Sequence, residues 1–286
     1  MIVVKLWGGL GNQLFQFAFG YVMAREQNDE VVYDTSFFRK HQYGYVGHRE
    51  FELDKLSCSA EIVTKLPWII HVLESFLVNR LLRRKHDTIS ITFGKTHFVK
   101  EKKRKYMPSV PYKQGKINYY DGYWQSGAYF EKYADALQKQ LYPNVEIPEE
   151  VQKVLNAIEN AKDSVSVHVR KGDFHGKIGH AVEKEYYLNA IQHIRESMEK
   201  PVFFVFSDDV AWVRDNIDFG EDAVFADYRC KDGAILDLLC MSRCKHGIMS
   251  ASTFSWWGNW RKDGVVIAPK GEYFNNRFLA DRWIKM

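Results

Sequence analysis

The sequence predicts an α/β protein built as two Rossmann-like lobes, residues 1–147 and 148–286, with a cleft between them. Three observations carry this expectation. In the C-terminal half, apolar strand-like runs alternate with helical patterns, the rhythm of a parallel sheet covered on both faces. The N-terminus opens in the same way, as strand, Gly-rich turn, helix and strand. Between the halves, Pro143–Pro148 interrupts the helical patterns and is the best linker.

Taken in order, strand Ile2–Leu6 leads through Gly8-Gly9-Leu10-Gly11 to a helix from Asn12 to Glu26, with Asn12 available as its cap, and then to strand Val31–Tyr33. From 40 to 120 the pattern blurs, and the basic run Lys100–Lys105 reads as a solvated loop. A helix is expected from Tyr129 to Leu141, and another over 149–162 behind Pro148. Strands then follow at 164–169, 202–207, 223–226, 246–249 and 265–268, with helices at 184–199, 209–216, 233–244 and 253–262. In such sheets ligands sit at the carboxyl ends of strands, so the polar residues just past each strand are the candidates for chemistry.

Composition narrows the function. With 46% apolar and 27% charged residues the chain of 286 can bury a core, and disorder is excluded. Its 15% aromatic content suits large cores and sugar-stacking platforms alike. A net charge of +4 fits an anionic ligand or a membrane surface but is too small to argue for nucleic acid. Cys58, Cys230, Cys240 and Cys244 form no CxxC pair, which suits a reducing compartment. Cys240 and Cys244 stand one helical turn apart with no second ligand pair nearby, so they read as helix positions and not as a metal site. The N-terminus reads as a strand and not a signal peptide. The apolar stretch Trp68–Leu82 carries His71, Glu74, Asn79 and Arg80 and falls short of the ~20 apolar residues of a membrane span. A cytoplasmic protein is expected. The segment Trp68–His86, running into Arg83-Arg84-Lys85, reads either as a buried helix with a solvated basic end or as an amphipathic helix making peripheral contact with anionic lipid.

Four motifs remain. In Ser164–Asp173, alternation puts Ser166, His168 and Arg170 on one strand face, and places Arg170 at the carboxyl end where its fork can grip phosphate oxygens. Asp173 then stands ready to orient Arg170 or His168; a plain salt bridge at a strand end is the competing reading. In Ser207-Asp208-Asp209, one aspartate suits a helix cap and the other is left to accept N–H donors from a base. Adjacent aspartates lack the Asp-x-Asp spacing that holds a metal against a diphosphate. In Ser250–Ser255, hydroxyls and backbone N–H groups of Ser252, Thr253, Phe254 and Ser255 mark a helix start that is either an anion site or a plain cap. The turn Gly8–Gln13 misses the dinucleotide fingerprint, with Leu14 where a third glycine should stand, but brings Gly9, Gly11, Asn12 and Gln13 to the cleft.

GGLGNQLFQFAFG, HVRKGD, FSDD and SASTFSWWGNW, in this order and reaching from residue 8 to residue 260, resemble the bacterial α-1,2-fucosyltransferase family. The resemblance implies a GT-B-type fold, with acceptor on the N-terminal lobe and GDP-β-L-fucose on the C-terminal one. It implies that Arg170 holds the β-phosphate, that His168 lies beside the nucleotide, that Asp209 reads the guanine, and that Thr253 to Ser255 meet the diphosphate. Lys171 departs from the arginine often found there in the family. A β-linked donor giving an α-linked product requires inversion, through an oxocarbenium-like transition state with charge building on the diphosphate. No metal or other cofactor is expected, so Arg170 and the turn at Thr253 must meet that charge. For the general base, Asp173, His175, His180 and Glu183 all follow the arginine closely enough, and a donor phosphate oxygen is a further option. The expected partners are GDP-fucose and a galactose-terminated glycan. The alternatives are another GDP-sugar transferase of the same architecture and a non-catalytic carbohydrate-binding protein.

Overall fold

The computed structural model describes residues 1–39, 49–58, 61–63, 88–101, 106–171, 182–221, 223–228, 230–270 and 279–286. It divides into two compact units, Met1–Tyr142 and Pro143–Met286. The division falls at the start of the Pro143–Pro148 stretch and not at its end, because Val145 and Ile147 pack against the core of the second unit.

The first unit holds a six-stranded sheet of β1 (Ile2–Lys5), β2 (Val31–Asp34), β3 (Glu61–Val63), β4 (Thr88–Phe93), β5 (Thr96–Glu101) and β6 (Ile117–Asp121). The strand order is β3-β2-β1-β6-β5-β4, and only the β4–β5 hairpin is antiparallel. Helix α1 (Leu10–Gln27) crosses from β1 to β2 and is buried along most of its length, since Phe15, Phe17 and Phe19 join aromatics from several elements. Phe19 stacks on Trp124 with ring centroids 4.1 Å apart.

Four of these strands lie in the stretch where the sequence pattern blurs. They are short, and β5 runs through Lys100, whose Nζ pairs with Asp121 at 3.1 Å. The loop expected over Lys100–Lys105 is therefore strand at its start, and 102–105 lie outside the described residues. The helix expected from Tyr129 begins as two 3-10 turns, Gly127–Tyr129 and Glu131–Tyr133, and becomes α-helical only over α2 (Ala134–Gln140).

The second unit is a wholly parallel sheet of β7 (Asp163–Val169), β8 (Pro201–Ser207), β9 (Ala223–Phe225), β10 (His246–Ile248), β11 (Val266–Ala268) and β12 (Ile284–Lys285), in the order β12-β11-β10-β7-β8-β9. Its helices are α3 (Glu149–Asn160), α4 (Lys184–Ser197), α5 (Val210–Asn216), α6 (Gly233–Arg243) and α7 (Thr253–Asn259). Alternation divides the apolar side chains between two cores. Val165, Val167 and Val169 join Ile191 and Ile194 of α4 on one face. Phe204 and Phe206 join Leu155 of α3 and Leu239 of α6 on the other.

The chain steps from β7 outward to β9 and then returns to β10 on the opposite side of β7. The switch point of this doubly wound sheet is therefore between β7 and β10, where the carboxyl ends leave a crevice. Helix α7 stops at Asn259, short of the expected residue 262. Beyond it Lys262 turns inward and donates to the carbonyls of Met241 and Cys244 at the end of α6.

Candidate active site

At the switch point, β7 delivers Arg170 just past its last residue, and β10 delivers Ser250 and Ser252. Arg170 Nη1 donates to Ser252 Oγ at 3.4 Å, so the cation and the hydroxyl turn meet although 82 residues separate them. His168 lies two residues back on the same strand face, with Nδ1 2.8 Å from Ser250 Oγ. Burial, and then the adjacent Arg170 cation, hold the His168 pKa down to about 3, so the ring is neutral near pH 7. Its centroid is 5.2 Å from that of Phe254. Tyr187 of α4 donates to the His168 carbonyl at 3.4 Å, tying the strand end to the helix.

The hydroxyl turn divides its labour. Ser252 caps α7, accepting from Phe254 N at 3.2 Å with the same oxygen that meets Arg170. Thr253 and Phe254 are half-buried at the helix start. Ser255 is fully buried, and its hydroxyl accepts from Ser250 N at 3.1 Å, so its side chain closes the turn from inside.

At the end of β8 both aspartates have backbone partners. Asp209 is the cap of α5, accepting from Trp212 N at 3.0 Å. Asp208 Oδ1 accepts from Lys171 N at 2.8 Å, and the Lys171 ammonium rests 3.5 Å from the centre of the Trp212 ring. The cap thus falls to Asp209, the residue expected to read a base, while its neighbour Asp208 fastens the chain immediately after Arg170. Asp173, His175 and His180 lie outside the described residues. Glu183 is exposed at the cap of α4.

At the carboxyl edge of β1, in the first unit, Gly8 adopts φ +82°, a conformation that favours glycine, and a Cβ there would meet Asn12 Nδ2 at 2.7 Å. Gly9 is open, with nothing within 4 Å of where its Cβ would stand. Gly9 is also the cap of α1, in place of Asn12, whose Oδ1 accepts from Gln125 Nε2 at 2.9 Å. Gly11 and Gln13 are buried in the first turns of the helix. Gln13 donates to the carbonyls of Gly8 and Glu50 and accepts from Glu52 N, so its amide ties the turn to the 50–52 segment and does not reach outward.

Two groups escaped the sequence reading. Trp7 and Tyr123 form a ring pair 4.1 Å apart beside the Gly turn, and both are half-buried. The signal was a tryptophan directly between a strand and a Gly-rich turn. Asp237, in the second turn of α6, accepts from Tyr228 OH at 2.5 Å, and burial pushes its carboxyl up to about 6. Neither it nor Tyr228 stands directly past a strand in a recognisable motif. Cys240 and Cys244 sit in and just beyond α6 with thiols pushed up to about 12 by burial, as packing residues.

These features define an α/β protein with a cation and a hydroxyl turn at the switch point of a parallel sheet. The chain belongs to glycosyl transferase family 11, whose model matches residues 1–285. It is similar to an alpha-1,2-colitosyltransferase of Escherichia coli, 30% identical over 282 residues that cover 94% of this chain and 91% of that one. The O-antigen biosynthesis glycosyltransferase WbnK of Escherichia coli is 29% identical over 308 residues, 98% of this chain and 99% of its own. The galactoside alpha-(1,2)-fucosyltransferase 2 of Gorilla gorilla gorilla is 28% identical over 172 residues, 57% of this chain and 49% of that one. Among solved structures, the fucosyltransferase NodZ from Bradyrhizobium shares the fold with a TM-score of 0.51 at 10% identity, over 90% of this chain and 92% of that one.

Proposed function

We propose that the protein transfers L-fucose from GDP-β-L-fucose to the 2-hydroxyl of a galactose-terminated glycan, with inversion, forming an α-1,2 linkage. The observation that carries this reading is the family match along residues 1–285, within which Arg170 and Ser252 meet at the sheet's switch point. The names of the relatives, α-1,2-fucosyl and α-1,2-colitosyl transferases, support the linkage. In this reading the donor diphosphate lies on Arg170, Ser252 and Thr253. The guanidinium is pre-aligned by the strand end and the hydroxyl, and it stabilises the charge that develops as the glycosidic bond breaks. Neutral His168 is a directional hydrogen-bonding group beside the nucleotide and adds no second cation. Asp209 retains the base-reading role as a proposal, with its helix cap fixing the direction in which the carboxylate faces.

The acceptor belongs to the N-terminal unit, in a GT-B-type arrangement, where Gly9 lets a sugar approach the backbone and the Trp7–Tyr123 pair offers a ring to stack on. The base is one of Asp173, His175, His180 and Glu183, or a donor phosphate oxygen. Catalysis needs no metal, and the enzyme works in the cytoplasm, in peripheral contact with the membrane if the segment 68–86, outside the described residues, binds lipid. Among the described residues no helix is long and apolar enough to cross a membrane.

Colitose transfer is a second reading, favoured by the 30% identity to a colitosyltransferase. Incubating the enzyme with lactose and either GDP-fucose or its colitose analogue, with the product linkage read by NMR, decides between them. An α-1,2-fucosylated product is expected. Turnover of the analogue alone selects colitose, and neither product nor any thermal shift with GDP would return the chain to the carbohydrate-binding class.

A further inference from the structure

The first unit holds a cavity of about 390 Å³ along the C-terminal half of α1, within the size range of small-ligand sites. Tyr106, Tyr129, Tyr133, Met23, Glu26 and Lys132 are among its lining residues. It is not the turn at Gly8–Gly11. From Gly11 to Met23 the helix rises by about 18 Å at 1.5 Å per residue, away from the carboxyl edge of the sheet.

Three features describe the occupant. The walls are phenol rings: Tyr106 is 42% exposed and sits edge-on to Tyr129 with centroids 4.9 Å apart, so one ring face is offered outward. The polar group is a carboxylate. Lys132 Nζ at 2.8 Å and Tyr133 OH at 2.6 Å both bond to Glu26 Oε1, and Oε2 has no hydrogen-bond partner among the described residues. Among the described lining residues the charge is balanced, since one carboxylate faces one ammonium at 2.8 Å. A phosphate or nucleotide would meet the carboxylate head-on, and a lipid chain would have to cover an ion pair. A neutral sugar ring fits both demands: its C–H face covers an aromatic ring, and its hydroxyls donate to Glu26 Oε2 and accept from Lys132.

We infer that this cavity is a second saccharide-binding subsite, which holds sugar residues of the acceptor glycan remote from the reacting hydroxyl. The inference rests on the proposal that the acceptor is a glycan. It assigns to α1 a selectivity for long acceptors over short ones, because methyl β-galactoside cannot span the distance from the Gly turn to the cavity.

The test uses the whole chain, methyl β-galactoside, and a galactose-terminated pentasaccharide. Calorimetry with the pentasaccharide, without donor, reads binding alone, and kcat/KM for the two acceptors reads its consequence. Removing one aromatic sugar contact should lower the pentasaccharide-to-monosaccharide ratio of kcat/KM by about fivefold or more in Tyr106→Ala. Glu26→Gln, which keeps the shape and removes the charge, should act in the same direction. Melting temperature and GDP affinity are measured on each variant, and both are expected to match the native protein. An unchanged ratio in both folded variants, or a native protein that binds pentasaccharide no better than monosaccharide, overturns the subsite. A native protein that binds the pentasaccharide but transfers no sugar to either acceptor overturns the proposed function and leaves the subsite standing.

Discussion

Two demands meet at Arg170: the guanidinium must stay charged at a sheet edge partly removed from water, and it must point one way. Strand β7 and the Ser252 hydroxyl at 3.4 Å fix its direction, and the depressed pKa of His168 keeps a second positive charge from forming beside it. Lysine at 170 would keep the charge but lose the planar fork. We therefore expect Arg170→Lys to fold and yet lose most activity, with GDP affinity reduced about tenfold or more, as the loss of a charged hydrogen bond requires. Arg170→Ala should bind GDP more weakly still, with a nearly unchanged circular dichroism spectrum. Normal GDP binding by folded Arg170→Ala would overturn the assignment. If this side chain and the hydroxyl turn meet the leaving-group charge unaided, turnover in excess EDTA equals turnover without it. Loss of activity that Mg²⁺ or Mn²⁺ restores would show that a divalent cation shares the task.

At the scale of elements, the position of the hydroxyl turn depends on how closely α7 lies against β10. Gly247 in β10 has no side chain because Asn259 at the end of α7 occupies the space: a Cβ at 247 would stand 1.8 Å from Asn259 Oδ1. Asn259 in turn donates to the Ser255 carbonyl at 2.8 Å, and Ser255 holds the turn through Ser250. Gly247→Ala should cost about 1–3 kcal/mol, as overpacking of a tight core does, and should weaken GDP binding because the turn shifts. Combining it with Asn259→Ala should cost less than the sum of the single changes; strict additivity in urea denaturation would mean the contact is not the cause. The same geometry explains what could be read beforehand. The strands of the second unit alternate cleanly, as in Ser164–Val169, so the face and the edge position of His168 and Arg170 followed from counting, and the hydroxyls after β10 from the βα rhythm. Asn12 and Gln13 could not be placed that way, because their partners, Gln125 and Glu50, stand 113 and 37 residues away in the chain. The first unit's strands β3 to β6 escaped for a related reason: INYYD and THFVKE carry polar and aromatic residues on both faces, so no two-residue period stands out.

For the molecule as a whole, two buried groups of the second unit oppose each other in acid. His168 has a folded pKa near 3 against an ordinary 6.5, so between these values the unfolded chain takes up a proton that the folded one refuses. Its contribution to stability is therefore present above pH 6.5 and lost as pH falls toward 3, on the order of 5 kcal/mol at about 1.4 kcal/mol per pKa unit. Asp237 runs the other way. Its carboxyl titrates near 6 in the fold against an ordinary 3.8, so the folded state holds the extra proton, and stability is present below pH 3.8 and lost as pH rises through 6, on the order of 3 kcal/mol. Between pH 4 and 6 the two contributions nearly cancel, and native stability carries little trace of either. Substitution separates them. Asp237→Asn keeps an acceptor for Tyr228 but abolishes the titration, so its stability relative to the native protein should rise between pH 4 and pH 7 by up to ~3 kcal/mol. His168→Asn should show the opposite slope, gaining on the native protein as pH falls from 6.5 to 3, whatever fixed cost the lost contact with Ser250 adds at every pH. Urea denaturation of the three proteins at pH 4, 5, 6 and 7 gives both differences. Parallel stability curves for Asp237→Asn and the native protein would mean that Asp237 is ionised in the fold at its ordinary pKa.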